Sequence, residues 1–176
     1  DLNAYTSFDE TVYMLPIPTD KEELIDNGLQ ILEDWAHNVS FEDAEIDKER
    51  GVVIEEWRTG QGADQRMRDK WLPLMLKNSR YADRLPIGKK EILENFKYET
   101  IRKFYKDWYR PDLMAVIAVG DIDVDKMEAK IKTYFGRIEA TKNPKERKNY
   151  DIPAHKETYV QILKDKEATS NSLRVY

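Results

Sequence analysis

The sequence predicts an α+β fold in which helices pack on one face of a mostly antiparallel sheet. Two short alternating segments within residues 3–17 are typical of a β-hairpin. Several later stretches repeat apolar residues every three or four positions, which indicates amphipathic helices. Residues 113–119 form a nearly unbroken apolar run, typical of a strand buried on both faces. We therefore expect residues 114–119 to be the central strand.

The first helix is predicted to begin at a capping box, in which Thr19 or Asp20 is followed three residues later by Glu22 or Glu23. Its apolar stripe continues to Trp35. A second helix is expected over residues 40–58, before the glycines at 60 and 62. Apolar spacing predicts four more helices, at residues 67–79, 89–93, 101–108 and 124–135.

The C-terminal part of the sequence predicts a change of domain. Residues 141–155 are rich in Lys, Asn, Pro and Glu without an apolar period, which indicates a linker. Two strands are expected beyond it, at residues 158–163 and 172–176. The sequence ends inside a predicted strand and does not begin with Met, so we expect a piece of a longer protein.

Composition excludes several classes of function. The 176 residues carry a net charge of -5 with Lys and Arg scattered among acids, so nothing indicates nucleic-acid binding. No apolar run approaches the length of a membrane span. The absence of cysteine excludes disulfides and Cys-ligated zinc. The two histidines, His37 and His155, are far apart and lie in no ligand-spaced motif.

Two carboxylates of the second helix stand at unusual positions. At about 100° per residue, Glu49 and Glu56 fall inside the broad arc that also contains Val53 and Trp57. An inward carboxylate without a partner is costly, so it requires a distant base, a proton or a metal ion.

Spacing alone leaves two interpretations open for Glu49 and Glu56. They form either a solvated helix flank or a metal site in which Glu56 is the ligand and Glu49 supports it. A catalytic zinc site typically uses three protein ligands and one open position. Because the sequence contains neither H-x-x-E-H nor H-E-x-x-H, this chain cannot assemble such a site by itself.

Residues 47–56 resemble the zinc-glutamate helix of the inverted zincins, the pitrilysin and insulinase family that also includes mitochondrial processing peptidases. Three other stretches resemble this family in the same order along the chain. They match the strand pair after the histidine helix, a loop before the later helices, and the junction into the last long strand, at residues 1–13, 84–88 and 104–121. The resemblance covers nearly the whole chain and is greatest to bacterial processing proteases.

The resemblance implies roles for particular residues. Glu56 would be the third zinc ligand and Glu49 its support, although the match can slip by one residue onto Glu55. Asn3 and Ala4 would contact an extended peptide that adds to the sheet as a further strand. For the neighbouring Tyr5, cross-strand packing is the favoured interpretation. The two zinc histidines and the general-base glutamate would lie before residue 1.

The family further implies a zinc-dependent metalloendopeptidase as the parent protein, acting on peptides or small proteins. Residues 1–140 would be the C-terminal part of its zinc-binding domain, and residues 156–176 the first strands of the next domain. The remainder of the parent chain or a paired subunit would complete the site. We expect the isolated chain to be inactive and to bind zinc weakly at most. For a bacterial parent, the periplasm or cell envelope is the expected compartment.

Two rival interpretations have other consequences. A non-catalytic structural or partner subunit of the same family would have lost the upstream H-x-x-E-H motif, so the residues before Asp1 discriminate between the two. An unrelated helical interaction domain would require four ordered matches to be accidental. Because a piece of the parent chain lacks some of its strands, unpaired strand edges are expected to favour self-association.

Overall fold

The structure, a computed structural model, describes residues 3–176 and contains six α-helices and a small antiparallel sheet within that range. Residues 1 and 2, which begin the first stretch with family resemblance, lie outside the described residues. The elements are β1 (Asn3–Thr6), β2 (Thr11–Met14), α1 (Glu22–His37), α2 (Asp43–Thr59), α3 (Ala63–Met75), α4 (Lys90–Asn95), α5 (Tyr98–Trp108) and α6 (Val124–Phe135). Two 3₁₀ turns cover Arg80–Asp83 and Pro111–Leu113. This content is α+β, as predicted.

The described chain divides into two compact units, of residues 3–43 with 96–147 and of residues 44–95 with 148–176. The first unit contains the hairpin of β1 and β2 together with α1, α5 and α6. The second contains nearly all of α2, together with α3, α4 and the C-terminal segment. The division that the family resemblance implies, with a boundary at a linker over residues 141–155, concerns the domains of the parent protein and stays a prediction.

The predicted capping box of α1 is absent, because the helix begins just beyond both predicted caps. Lys21 is the N-cap residue, and no side chain caps the helix there. The Leu24 N–H instead bonds to the Lys21 carbonyl at 3.1 Å, so the backbone itself closes the first turn. Glu22 and Glu23 lie in this first turn, where negative charge interacts favourably with the helix dipole.

In the first unit, charged contacts join α1 to α6. Lys130 of α6 lies 2.6 Å from the Asp26 carboxylate and 3.0 Å from that of Glu22. Further along α1, Glu33 is buried at 3% exposure and accepts two hydrogen bonds from Arg137, which follows α6. These ion pairs fix the two helices side by side although about a hundred residues separate them in sequence.

A glycine allows the chain after β2 to approach α1 closely. Gly28 is buried in α1, and a Cβ built on it would lie 1.9 Å from the Ile17 Cδ1 atom and 3.7 Å from the Leu15 Cδ2 atom. Tyr13, Leu15 and Ile17 alternate along an extended segment, so all three side chains project to the same side. The hairpin is therefore seated on α1 through this face.

In the second unit, the buried apolar residues are Ile46 of α2 and Leu72 and Leu76 around the end of α3. The C-terminal segment is attached to α3 by one arginine. Arg66 donates to the Asp165 carboxylate at 2.8 and 2.6 Å and to that of Glu167 at 2.6 Å. These bonds hold the pKa of Asp165 well below its usual range.

The predicted central strand does not form as a strand among residues 3–176. Residues 114–119 have no sheet partner there, and Ile117 and Val119 are 83% and 92% exposed. Residues 158–163 and 172–176 likewise lack strand pairing, although the turn between them is present, with Ala168 N–H bonded to the Asp165 carbonyl at 3.2 Å. A strand is stabilised by its neighbour's backbone groups, and the described chain places none beside these segments.

Candidate functional site: the α2 carboxylates and the β1 edge

Glu49 and Glu56 lie on one face of α2, but that face is exposed. Both side chains are open to solvent, and Val52 between them is 55% exposed. The expectation that they point inward is therefore wrong. Within residues 3–176 neither carboxylate has a hydrogen-bond or ion-pair partner.

The angular positions of the side chains around α2 explain this exposure. Ile46, Val53 and Trp57 are buried or half-buried and share one arc of the helix. Glu49 lies about 60° from the centre of this arc, and Glu56 lies about 20° further away. The buried arc contacts α4: Arg50 donates to the Leu93 carbonyl at 2.5 Å. Glu49 and Glu56 lie outside this contact and are exposed to solvent.

The adjacent Glu55, unlike Glu56, forms an ion pair within α2. Arg58, one turn along the helix, donates two hydrogen bonds to it at 2.9 and 2.7 Å, as expected for residues three apart. These bonds hold the pKa of Glu55 below its usual value. Of the two neighbouring carboxylates, Glu55 already forms an ion pair with Arg58. Glu56 is the one available to another cation.

A carboxylate oxygen is a normal ligand for zinc, so the exposed Glu56 has the chemistry for one coordination position. Zinc also needs further ligands. Among residues 3–176 no group of three or more His, Asp or Glu side chains is arranged to hold a metal ion. The described part of the chain can therefore offer one such ligand, Glu56, and Glu49 lies two turns away on the same face.

The hairpin leaves one edge of β1 open. β1 pairs with β2 in the register Asn3↔Met14, Ala4↔Tyr13, Tyr5↔Val12 and Thr6↔Thr11. Within the described residues the sheet has only these two strands, and all four residues of β1 are exposed. Such an edge presents unpaired backbone N–H and C=O groups that can template another strand.

The register identifies which backbone groups face outward. The Ser7 N–H bonds to the Glu10 carbonyl at 2.8 Å, so this pair is hydrogen-bonded and pairs alternate from there along the ladder. Ala4 and Thr6 then stand in non-hydrogen-bonded pairs, where side chains are closer. The 3.2 Å contact between the Thr6 and Thr11 hydroxyls agrees with this parity. Ala4 thus turns its N–H and C=O outward, whereas the backbone of Asn3 faces β2.

An aromatic cluster behind the hairpin was not identified from the sequence. The Tyr13 ring lies 5.6 Å from that of Trp35 and 6.4 Å from that of Tyr109, and the Tyr13 and Tyr109 hydroxyls are 2.5 Å apart. Tyr109 stacks on Tyr105 at 4.4 Å, and the Tyr105 hydroxyl donates to the Trp35 carbonyl at 2.7 Å. The four-residue spacing of Tyr105 and Tyr109 was the available sequence signal.

Tyr5 was expected to pack against the opposite strand, and it does so only in part. Its ring is about half exposed on β1, and its hydroxyl donates to the Glu10 carboxylate at 3.2 Å across the hairpin. This hydrogen bond, together with burial and the negative charge of Glu10, raises the pKa of Tyr5. Tyr5 therefore closes the turn end of the hairpin as a neutral donor.

Comparison with known proteins identifies the family of this chain. The model of the insulinase family, peptidase family M16, matches residues 1–84, and that of the peptidase M16 inactive domain matches residues 95–176. The chain is 37% identical to the probable zinc protease PqqL of Escherichia coli strain K12, over 100% of this chain and 19% of that protein. It is 35% identical to a zinc protease PQQL-like protein of Arabidopsis thaliana, over 98% of this chain and 18% of that protein.

A solved structure gives the same relation. The crystal structure of the first half of the periplasmic protease PqqL from Escherichia coli matches with a TM-score of 0.81 and 38% identity, over 88% of this chain and 33% of that one. The fold and the relatives define a zinc metalloprotease class. Within it, the chain belongs to the insulinase family of M16 peptidases. It spans about a fifth of the length of these curated relatives, 19% and 18%.

No helix within residues 3–176 combines the length and hydrophobicity needed to cross a membrane.

Proposed function

We propose that this chain is part of a zinc-dependent metalloendopeptidase that hydrolyses peptide bonds in extended peptides. It supplies the third zinc ligand, Glu56, and a substrate-binding edge strand, and it is inactive alone. The observation that carries the proposal is the exposed, unpaired Glu56, one residue from a glutamate that is already paired. Because no cation of the described chain occupies Glu56, its carboxylate is free to bind a metal ion.

Glu56 would hold the zinc ion together with two histidines from the remainder of the protein. When bound, the ion polarises the scissile carbonyl as a Lewis acid. Glu49, two turns away on the same exposed face, would accept a hydrogen bond from a zinc-binding group and so fix its orientation. The exposure of both side chains supports this, because neither has to break an existing ion pair to take part.

Asn3 and Ala4 would bind the substrate by strand addition to β1. The two residues contribute differently, since Ala4 has its backbone N–H and C=O on the open edge and Asn3 does not. We infer that Ala4, with Thr6, pairs with the peptide backbone, and that Asn3 contributes through its side chain. Backbone pairing recognises extended conformation more than sequence, which suits an endopeptidase of unfolded or extended substrates.

The exposed apolar segments support a larger protein around this chain. Residues 114–119, 158–163 and 172–176 carry Ile117, Val160 and Leu173 at 80% exposure or more. We propose that strands in the remainder of the protein pair with them. Residues 141–155 then serve as the linker, and residues 156–176 begin the next domain. By analogy with the periplasmic relative, the periplasm is the proposed compartment.

The decisive experiment compares two neighbouring substitutions in the full-length protein. Glu56→Gln should lower kcat/KM by more than about 100-fold, which is the largest loss typical of a residue that only supports a metal ligand. The variant should also lose its bound zinc, as measured by mass spectrometry. Glu55→Gln is the matched control, which should keep zinc and activity, because that carboxylate only pairs with Arg58. Loss of zinc with Glu55→Gln alone would move the ligand by one position, and unchanged zinc in both variants would contradict the proposal.

The non-catalytic alternative has one observation in its favour. Residues 95–176 match the model of the peptidase M16 inactive domain, which supports a non-catalytic role for that part of the chain. A structural or partner subunit would retain its fold and assembly in Glu56→Gln and show no peptidase activity in the wild type. Titration calorimetry of the isolated chain adds a separate check: tight stoichiometric zinc binding that disappears with Glu56→Gln would show that this chain holds ligands we have not assigned.

A further inference from the structure

Tyr13, which lies opposite the proposed peptide-pairing residue Ala4, contacts α1 and the end of α5. Tyr13 of β2 is the cross-strand partner of Ala4. In a non-hydrogen-bonded pair the two Cα atoms are about 4.5 Å apart, and both side chains lie on the same face of the sheet. Any displacement of Tyr13 therefore moves Ala4, and with it the outward N–H and C=O groups of the open edge.

Apolar contacts and polar contacts constrain Tyr13 in different ways. Its ring lies against Trp35 of α1, and Ile17 further along the same face lies against Gly28. Packing of this kind favours contact but tolerates sliding. The hydrogen bond between the Tyr13 and Tyr109 hydroxyls, at 2.5 Å, fixes both a distance and a direction. At the other end of the hairpin, Arg147 donates to the Asp9 carbonyl at a longer 3.3 Å.

Tyr109 is itself held firmly. It stacks on Tyr105 at 4.4 Å between ring centres, and its backbone N–H bonds to the Tyr105 carbonyl at 2.8 Å, at the end of α5. Burial, followed by the hydrogen bond to Tyr13, raises the pKa of Tyr109 far above its ordinary value. The phenol therefore stays neutral and able to take part in the hydroxyl pair across the pH range in which a peptidase is assayed.

We propose that the Tyr13–Tyr109 hydroxyl pair is a positioning contact for substrate, which holds the hairpin so that the open edge of β1 is preorganised to receive an extended peptide. This inference rests on the proposed function and deepens it, because it concerns how the edge strand binds its peptide. The two tyrosines are assigned a positioning role and not a catalytic one. Both act through Ala4 and the strand that contains it.

The expected signature is in binding and not in chemistry. A loosened hairpin must be ordered when the peptide adds, and that ordering cost weakens the complex. Ground state and transition state lose the same amount of binding, so KM rises while kcat is unchanged. The loss of one hydrogen bond corresponds to a rise in KM of about 2- to 10-fold.

The test uses the full-length protein with quenched-fluorescent casein as substrate. Tyr109→Phe removes one hydroxyl and keeps the ring, so the stacking on Tyr105 is retained. We expect Tyr109→Phe and Tyr13→Phe each to raise KM at constant kcat. The double variant should equal the single variants, because all three lack the same bond. Tyr134→Phe in α6 is the control and should leave KM unchanged.

Several results would overturn the inference: a fall in kcat at constant KM, an additive double variant, or an equal rise in KM with Tyr134→Phe. If the wild type does not cleave casein, the proposed function fails, and the inference is then judged by binding alone. In that case, fluorescence anisotropy of labelled casein should show about 2- to 10-fold weaker binding to Tyr109→Phe. Equal affinity of both proteins, or no binding to either, contradicts it.

Discussion

Glu33 of α1 and Glu56 of α2 are both glutamates in the latter half of long helices, yet their surroundings are opposite. Glu33 is 3% exposed and accepts hydrogen bonds from Gln30 and His37 at 2.7 Å and from Arg137 at 2.9 Å. Glu56 is exposed and has no partner among residues 3–176. Where this chain buries a carboxylate, it supplies donors to both oxygens.

The two carboxylates also differ in the energy that their surroundings must supply. Desolvation of a charge is costly, and the four donor atoms around Glu33 offset that cost. Glu33 is therefore part of the structural connection between α1 and α6. Glu56 has no desolvation to offset, so nothing in the stability of the described chain requires a glutamate there. This exposure agrees with the zinc-ligand role that we propose for Glu56.

Substitution should separate the two roles most sharply in stability. Glu33→Gln keeps the shape but removes the charge that three side chains are arranged to bind, and should lower the free energy of unfolding by about 1–3 kcal/mol. Glu56→Gln should change it by less than about 0.5 kcal/mol, as for other exposed positions. Urea denaturation followed by circular dichroism measures both. Equal effects of the two substitutions would refute the contrast.

The pH dependence sharpens the same comparison. Burial alone raises the pKa of Glu33, but the hydrogen bonds from Arg137, His37 and Gln30 and the charge of Arg137 bring it below its ordinary value of 4.5. The unfolded state thus binds this proton more tightly. The stability contributed by Glu33 is complete above pH 4.5 and is lost as pH falls through the lowered pKa.

The difference in unfolding free energy between wild type and Glu33→Gln should therefore shrink as the solution is acidified below pH 4.5. Denaturation curves of both proteins at several pH values provide the measurement. A difference that stays constant, or grows on acidification, would mean that Glu33 is not held in its ionised form.

The two helices also differ in the space around their internal glycines. Substitution of these glycines should change the stability of the protein only slightly. Gly51 of α2 has open space where a Cβ would lie, so Gly51→Ala should stabilise the protein by roughly 0.5–1 kcal/mol. At Gly28 of α1 the same Cβ would meet Ile17 at 1.9 Å. Gly28→Ala should destabilise by about 1 kcal/mol, because displacing Ile17 outweighs the gain in helix propensity. Thermal unfolding of both variants tests the opposite signs.

Local sequence was sufficient for the helices. The apolar periods around Trp35, Trp71 and Trp108 each predicted a helix that the structure contains, as α1, α3 and α5. Helical hydrogen bonds join residues four apart, so the information lies within the segment. The family motif at residues 47–56 was found for the same reason, since it occupies a single helix.

Strands and faces were predicted less well. The apolar run at residues 114–119 indicated a central strand, but whether a strand forms depends on a partner that the run does not contain. Glu56 was placed inward because the wheel gives the relative angles of side chains and not which side is covered. The Tyr13–Tyr109 contact joins residues that are 96 positions apart, and no local sequence pattern predicts such a contact.

The sequence by itself determined the helices, the hairpin and the membership in a zinc-protease family, because each rests on residues close together in the chain. Tertiary structure alone decided which arc of α2 faces solvent, which backbone groups of β1 lie on its open edge, and which carboxylate is buried among donors. Those properties depend on desolvation and on contacts between distant segments. Burial is a property of the neighbours that a residue acquires on folding, and for Glu56 and Glu33 the neighbours made the difference.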